Sequence, residues 1–311
     1  MARNGVKVDT VAEVVETPML RSSIAVLDDA LDRVSALDFE IPNPFVNHAP
    51  MACEALAALG LDSVIDEWVE RYETLMGEAV PPITPSWAPG FDWKELLGDY
   101  RLLPEWMGYF GQAVDEEGWQ AVIEVWVPRL MPGLVAALFH GVIRTSHAVR
   151  ALEVADTEAR RAELTRALGN WAVWFAPGQP VDEGAGCDDP QRSALQAAAQ
   201  GARCYVADPN IFNLHGVTGA MAVHLLADHL PPPDARAAAI QLRAEHRSLY
   251  RGVTPIGAGG EAYWNDRTVS DASKSYDAHQ IKLVEACLRG FHLTGDPAFS
   301  RAAEMVTSSA D

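Results

Sequence analysis

A chain of 311 residues with 49% hydrophobic side chains can bury the core of one large domain or of two small ones. Its 43 acidic residues exceed its 24 basic residues, and the net charge of −19 repels a phosphate backbone and an anionic lipid surface. These numbers argue against nucleic acid and membrane surfaces as partners.

The first 22 residues have neither the apolar core of a signal peptide nor the Arg-rich character of a transit peptide. We interpret residues 1–22 as a weakly ordered N-terminal arm and residues 23–311 as a single all-helical domain. The four cysteines form no CxxC pair, so reduced thiols and a cytoplasmic location are expected. The longest apolar run, Leu130 to Ile143, has 14 residues, whereas a membrane-spanning helix needs about 20.

Apolar residues recur at spacings of three and four along most of the chain, while the alternation typical of strands is scarce. This pattern predicts an all-α fold. The predicted helices are Ser23 to Leu37, Ala49 to Gly60, Asp62 to Met76, Leu103 to Glu116, Trp119 to Leu130, Gly133 to Ala155, Asp156 to Phe175, Pro190 to Ala207, His215 to His229, Pro233 to Arg251, Val269 to Thr294 and Pro297 to Ser308.

Segments rich in proline and glycine separate these helices, and some of them carry aromatic side chains. Such side chains either cover a cavity or cap the core, and the sequence leaves both interpretations open. They are Trp87, Trp93, Tyr263 and Trp264.

Four segments predicted to be helical share a histidine that is followed by small and apolar residues. They read NHAPMACEALAALG, FHGVIRTSHAVRAL, NLHGVTGAMAVHLL and DAHQIKLVEACLRG, and their first histidines are His48, His140, His215 and His279. Seven residues later, on the same helix face, three segments have alanine and the second has His147. A face of small side chains lets a helix, a ligand or a cluster of imidazoles approach closely.

These histidines allow two interpretations. A single histidine in an apolar helix is more often a core or surface residue than a ligand. Four histidines in similar helical segments favour a metal site between helices, because imidazole is the commonest protein ligand of transition metals. Asn47, Asn213 and Asp277 precede three of them and could either cap a helix or hold an imidazole NH.

Lys282 follows His279 by three residues and therefore lies on the same side of the predicted helix. A buried ammonium is costly, so this lysine must pair with a carboxylate, lose its proton or be chemically altered. A neutral amine can react with CO₂ to give a carbamate, which is an anionic oxygen ligand. The alternative is a lysine that extends its charged end to solvent from the edge of a buried helix.

The same segments, in this order, resemble the questin oxidase-like family, whose members include fungal enzymes that open anthraquinone rings in a formal Baeyer–Villiger oxidation. The resemblance implies an all-helical fold with a mononuclear non-haem iron held by four histidines and a carboxylated lysine. Carried over to this chain, the ligands are His48, His140, His215, His279 and Lys282, and His147 is a rival of His140.

The resemblance also implies that the protein is an Fe(II)-dependent oxygenase of secondary metabolism. Such an enzyme uses O₂ to cleave a ring carbon–carbon bond of an anthraquinone-type polyketide. Fe(II), a CO₂-derived carbamate on Lys282 and NADPH as a reductant are the expected cofactors. Arg144 and His147 are the candidate catalytic residues, because either can bind a phenolate oxygen of the substrate. The sequence leaves a monomer and a homodimer open.

Three other interpretations stay open. A zinc hydrolase or lyase would use the same imidazoles, because a histidine cluster does not name its metal. A non-catalytic protein that binds a flat aromatic polyketide would need an aromatic cavity but no metal. A helical scaffold without a small-molecule site requires that the four histidines do not converge.

Overall fold

The structure of the protein, a computed structural model, describes residues 11–40, 46–79, 81–87, 90–181, 186–257, 259–261 and 263–308; side chains are described from residue 23 onward within these ranges, except at 38–40. Helices dominate this part of the chain, which confirms the predicted all-α class. No helix within it is long and apolar enough to cross a membrane. The helices are α1 Val11–Ser35, α2 Ala49–Ala58, α3 Ile65–Glu73, α4 Leu103–Glu117, α5 Trp119–Leu130, α6 His140–Val154, α7 Glu158–Val173, α8 Pro190–Ala207, α9 Ile211–Leu226, α10 Pro232–Leu249, α11 Arg267–Ala272, α12 Ala278–Thr294 and α13 Pro297–Ser308.

A short two-stranded antiparallel sheet accompanies the helices. Strand β1, Leu37–Glu40, pairs with strand β2, Met76–Glu78, so that Leu37 lies opposite Glu78 and Glu40 lies opposite Met76. Strands of three or four residues are too short to show the alternation by which strands are recognised in a sequence. This small sheet was therefore not predicted.

Two predicted helices have different bounds in the structure. The helix predicted over residues 269–294 is divided into α11 and α12, because the side chain of Asp277 caps α12 and accepts a hydrogen bond from the His279 N–H at 2.8 Å. The helix predicted from Gly133 begins only at His140. The three preceding residues have φ angles of 48°, 54° and 65°, a left-handed conformation that a right-handed helix cannot include.

Two other helices begin earlier than predicted. Helix α9 starts at Ile211, because the Asn210 side chain accepts a hydrogen bond from the Asn213 N–H at 2.9 Å and caps it. Helix α1 starts at Val11 rather than at Ser23. Residues 1–10 lie outside the described part of the chain, and the division into an arm of residues 1–22 and a domain of residues 23–311 stays a prediction.

Two hydrophobic clusters fill the interior and meet at α2. The larger one contains Met51 and an aromatic group around Trp106 and Trp126. The smaller one joins α1, α2 and α3 and contains Ala49 and Ala52. Because neighbouring residues of α2 belong to different clusters, the start of this helix lies where the two parts of the core join.

Two glycines let neighbouring helices pack closely around the start of α6. A Cβ atom on Gly141 would lie 2.3 Å from the Trp171 side chain of α7, and one on Gly219 of α9 would lie 2.6 Å from Phe139. Both distances are far below van der Waals contact. Helices α7 and α9 therefore pack against the residues on either side of His140.

Candidate metal centre

Four helices bring the four histidines of the repeated segments to one point. His48 directly precedes α2, His140 begins α6, and α9 and α12 carry His215 and His279. Helices α2 and α9 each contact both α6 and α12, so the four helices surround a common centre. The structure thus contradicts the helical scaffold without convergent histidines.

The imidazoles approach one another within ligand distance. One nitrogen of each ring lies within 4.8 Å of the corresponding nitrogen of every other ring. The Nε2 atom of His140 is 2.8 Å from Nε2 of His48 and 3.2 Å from Nε2 of His215. The ring centroid of His279 is 4.5 Å from that of His48 and 5.1 Å from that of His215.

Backbone carbonyls fix the tautomers of two of these rings. Nδ1 of His140 lies 2.5 Å from the Ala137 carbonyl oxygen, and Nδ1 of His215 lies 2.7 Å from the Ile211 carbonyl oxygen. A carbonyl oxygen only accepts hydrogen bonds, so each Nδ1 carries the proton and each Nε2 presents a lone pair. The left-handed turn before α6 places the Ala137 carbonyl beside His140.

The environment keeps the rings neutral. His48, His140 and His215 are at most 2% exposed. This burial lowers the pKa of each imidazole well below its usual value, and the neighbouring imidazoles and the positive charge of Lys282 lower the pKa further. In the neutral rings of His140 and His215, two Nε2 lone pairs face each other at 3.2 Å.

This donor set fits a metal ion. Two lone pairs at such a distance repel each other, and a cation bound to both removes the repulsion. Within the described part of the chain the convergent group consists of imidazoles alone, which suit iron, zinc, copper and nickel better than magnesium or calcium. The four-histidine cluster could therefore bind a transition-metal ion.

Lys282 lies beside the cluster. It is 1% exposed and its Nζ atom is buried, so the lysine does not extend to solvent. Its charge lowers the pKa of His48 and His215, which places the amine on the side of α12 that faces the imidazoles. The solvent-exposed alternative for this lysine is wrong.

Two of the polar residues that precede the histidines cap helices. The Asn47 side chain accepts a hydrogen bond from the Ala49 N–H at 3.0 Å. Asp277 caps α12 and also lies 3.3 Å from Nδ1 of His279, so it both caps the helix and holds the imidazole. Asn213 instead donates to the Asp208 carbonyl oxygen at 2.7 Å. Asn213 is the third residue of α9 and therefore lies inside the helix, so it does not cap it.

Arg144, a candidate catalytic residue, forms a buried ion pair beside the four-histidine cluster. Its Nε and Nη2 donate to the two carboxylate oxygens of Glu163 at 2.6 Å and 2.8 Å. Both side chains are buried. Arg144 also contributes to the lowered pKa of His48, so the ion pair acts on the cluster electrostatically.

His147, the other candidate, is separate from the convergent group. Its Nδ1 lies 2.5 Å from Oε2 of Glu54, and Arg150 donates to both Glu54 and Glu285. Helices α2, α6 and α12 are thus joined by a buried ionic network. The sequence carries a signal for it, since Glu54 is the single acidic residue of α2 and Glu285 is the single acidic residue of α12.

The loop tryptophans lie against the core instead of at the metal centre. Trp87 packs against Phe91 and Trp106, Trp93 packs against Trp126, and Trp264 packs against Phe291. These contacts support the interpretation that they cap the core. Tyr263 is 55% exposed and bonds through its hydroxyl to Glu304.

A surface cavity of about 590 Å³ reaches the cluster at His279. The His279 side chain is 25% exposed, in contrast to the other three imidazoles. Tyr205 and Tyr276 line the same cavity. His279 therefore connects the buried nitrogens with a space that a small molecule can enter.

No curated protein matches the chain. The family model described as Questin oxidase-like matches residues 45–156, which contain His48, His140 and the network residues Glu54 and Arg150. The matched segment ends before α9 and α12, which carry the other two histidines and Lys282. The match supports an oxidoreductase with a small-molecule substrate. Over residues 45–156 the chain thus matches the Questin oxidase-like family, which confirms the resemblance for the segments that contain His48 and His140.

Proposed function

We propose that this protein is a non-haem iron oxygenase that uses O₂ to cleave a ring carbon–carbon bond of an anthraquinone-type polyketide. One observation carries the proposal: the Nε2 lone pairs of His140 and His215 face each other in a buried group of four imidazoles. The match to the Questin oxidase-like family supports an oxidase among the possible metal enzymes. The polyketide class rests on that resemblance.

In this proposal His48, His140, His215 and His279 hold the metal, and Lys282 completes the site as a carbamate. The buried imidazoles of His48, His140 and His215 are neutral and leave the charge of a divalent ion uncompensated. An ammonium on Lys282 would repel that ion, because little water is present in the buried site to screen the two charges. A carbamate formed from CO₂ reverses the sign of this side chain and provides an anionic oxygen ligand.

Held by these side chains, Fe(II) would supply the electrons that start the reduction of O₂. A formal Baeyer–Villiger oxidation inserts one oxygen atom between a carbonyl carbon and its ring neighbour. The second oxygen atom leaves as water, and this requires two electrons and two protons. The reduced, hydroquinone form of the substrate or NADPH provides them.

The cavity beside His279 is the proposed substrate site. Its volume of about 590 Å³ is within the range of ligand pockets, roughly 300–1,000 Å³. Tyr205 and Tyr276 can pack against a flat ring system there. The substrate would thus lie next to the one imidazole of the cluster that is partly exposed.

The contacts of Arg144 and His147 support positioning roles. Arg144 is held by both oxygens of Glu163, and Nδ1 of His147 is held by Glu54. We propose that these ion pairs fix α6, and with it His140, relative to α2 and α7. Direct contact of Arg144 or His147 with the substrate is not needed in this proposal.

Metal analysis combined with oxygen uptake tests the proposal. Purified wild-type protein is expected to hold about one iron per chain and to consume O₂ when given an anthraquinone hydroquinone. His279→Ala is expected to lose most of the iron and the activity. His292→Ala is the matched control, because His292 is an exposed histidine of the same helix.

Two outcomes would contradict the proposal. One zinc per chain with no O₂ uptake would favour a hydrolase or lyase that uses the same imidazoles. Tight binding of the anthraquinone by metal-free protein, without turnover, would favour a binding protein.

A further inference from the structure

A second cavity of about 440 Å³ lies between α8 and α10, and it shares no lining residue with the cavity beside His279. Helix α8 contributes Gln196 and Gln200, and α10 contributes Arg243 and His246. This volume also falls in the range of small-molecule pockets, roughly 300–1,000 Å³. Nothing in the proposed oxygenase reaction uses this space.

Several buried polar atoms on the residues that line this cavity have no hydrogen-bond partner within the described part of the chain. They are both ring nitrogens of His246, Oη of Tyr250 and Nε of Arg243. His246 is only 6% exposed. The Gly216 backbone raises the pKa of the His246 ring, but no hydrogen bond of normal geometry joins the two residues. Each unsatisfied buried polar atom costs about 1–3 kcal/mol, so four around one space indicate an occupant that provides their partners.

The cavity is basic in an acidic protein. Arg243 and Arg247 line it, and the described residues around it include no carboxylate, although the chain has a net charge of −19. Arg243 donates from Nη2 to the Gly186 carbonyl oxygen at 2.7 Å, which holds the guanidinium in place. Two guanidinium groups without a carboxylate favour an anionic group, and a carboxylate matches their geometry.

The inner part of the cavity is aromatic and neutral. The rings of His246 and Tyr250 are 5.0 Å apart, and Phe139 lies 6.2 Å from His246. Burial lowers the pKa of His246 to about 4 and raises the pKa of Tyr250 well above its usual value. Near pH 7 both side chains are therefore uncharged, and each can both donate and accept a hydrogen bond.

We propose that the cavity between α8 and α10 binds a small aromatic hydroxy acid. Its carboxylate pairs with Arg243 and Arg247, its ring packs beside His246 and Tyr250, and its hydroxyl group bonds to the polar atoms of these two side chains. The cavity is separate from the metal centre, so this site does not depend on the proposed oxygenase activity.

Calorimetric titration of the full chain with 4-hydroxybenzoate tests this site. Tyr250→Phe removes only the hydroxyl group, and Arg247→Gln removes one positive charge. A charge-assisted hydrogen bond contributes about 1.5–3 kcal/mol, so Arg247→Gln is expected to weaken binding by about tenfold or more. Loss of the neutral hydrogen bond in Tyr250→Phe is expected to weaken binding by about fivefold.

Matched controls separate this site from general electrostatic attraction. Arg236→Gln removes an exposed arginine of the same helix that does not line the cavity, and it is expected to leave the affinity unchanged. The uncharged probe 4-hydroxybenzamide is expected to bind more weakly than 4-hydroxybenzoate. Absence of saturable binding would overturn the proposal and leave a water-filled cavity. Equal affinity in wild type, Arg247→Gln and Tyr250→Phe would overturn it as well.

Discussion

His140 and His215 show how single atoms decide the character of the metal centre. Each donates its Nδ1–H to a backbone carbonyl oxygen, and each directs Nε2 toward the other ring. Asp277 lies against Nδ1 of His279 in the same manner. Partners of this kind orient imidazole ligands and set their tautomer before a metal binds.

Lys282→Arg tests the carbamate directly. Arginine keeps a positive charge and a long side chain, but its guanidinium does not form a carbamate under these conditions. The variant is expected to retain less than about a tenth of the wild-type metal, because a fixed positive charge would lie beside the ion. Metal per chain is measured by elemental analysis after purification.

Bicarbonate and a second lysine complete that test. Wild-type protein prepared without CO₂ should recover its metal occupancy when bicarbonate is added, and Lys282→Arg should not. Lys274→Arg is the control, since Lys274 is an exposed lysine just before α12. Full metal occupancy in Lys282→Arg would show that no carbamate is required.

Glu285→Gln tests the ionic network. Glu285 is 4% exposed and accepts hydrogen bonds from both Arg150 and Arg289. Removing the charge of one partner in a buried ion pair costs about 3–5 kcal/mol. We expect the free energy of unfolding to fall by an amount near the lower end of this range, because Arg150 still pairs with Glu54. Urea unfolding measures this loss of stability, and Glu124→Gln, at an exposed position of α5, is the control. Equal stability of the two variants would rule out a structural role for Glu285.

At the scale of the elements, the left-handed turn before α6 connects backbone conformation to ligand geometry. Ala137, Leu138 and Phe139 all have positive φ, which is uncommon for residues with a Cβ atom. The turn follows the 3₁₀ segment Met131–Gly133 and aims the Ala137 carbonyl oxygen at His140. Strained backbone of this kind is found at functional sites, where the surrounding packing maintains it.

Ala137→Gly is expected to stabilise the protein, because glycine adopts positive φ without a steric penalty. The left-handed conformation costs a residue with a Cβ atom about 1–2 kcal/mol, and the added flexibility of glycine in the unfolded chain offsets about half of this. The expected gain is therefore about 0.5–1 kcal/mol in the free energy of unfolding, measured with urea.

Ala136→Gly is the control for that prediction. Ala136 adjoins the turn but is not among the residues with positive φ, so glycine brings flexibility there without relieving strain. This variant is expected to lose about 0.5–1 kcal/mol. Equal destabilisation of both variants would mean that Ala137 carries no strain.

At the scale of the whole molecule, α9 lies between the two proposed sites. His215 faces the four-histidine cluster, and the next residue, Gly216, contacts Tyr250 of the second cavity, since a Cβ on Gly216 would lie 1.9 Å from the Tyr250 hydroxyl oxygen. Phe139 directly precedes His140 in the chain, and its ring lies 6.2 Å from that of His246. The two sites thus share one layer of packed helices, although no residue lines both cavities.

Acid is expected to destabilise the protein partly through His246. Burial lowers its folded-state pKa to about 4, below the usual 6.5, so the unfolded chain binds more protons between these two values. The stabilising contribution is complete above pH 6.5 and is lost as the pH falls toward 4. It amounts to about 3.5 kcal/mol at most, because one pKa unit corresponds to about 1.4 kcal/mol.

Urea unfolding at several pH values, in wild type and in His246→Gln, measures this contribution. The difference between the two proteins should change with pH across the interval from 6.5 to 4 and stay constant above it. Other titrating groups are present in both proteins and cancel in the comparison. A difference that is independent of pH would show that His246 stays accessible to protons in the folded state.

The spacing of apolar residues was enough to predict an all-α protein and the cores of most helices, because amphipathic periodicity is a local property of the sequence. Helix ends were less predictable. The start of α6 depends on a left-handed turn without glycine at residues 137–139, and the break before α12 depends on a single cap at Asp277. Neither changes the apolar pattern on which the prediction rests.

The sequence by itself determined which residues were candidates for the metal centre: four histidines in similar helical contexts and a lysine three residues after the last of them. Only the tertiary structure decided that His140, and not His147, joins the convergent group, and that Arg144 and His147 are held by buried carboxylates. Helical spacing fixes the face on which a side chain lies but not which other helix that face meets. That choice depends on the packing of α2, α6, α9 and α12 around one point, which brings together residues far apart in the chain.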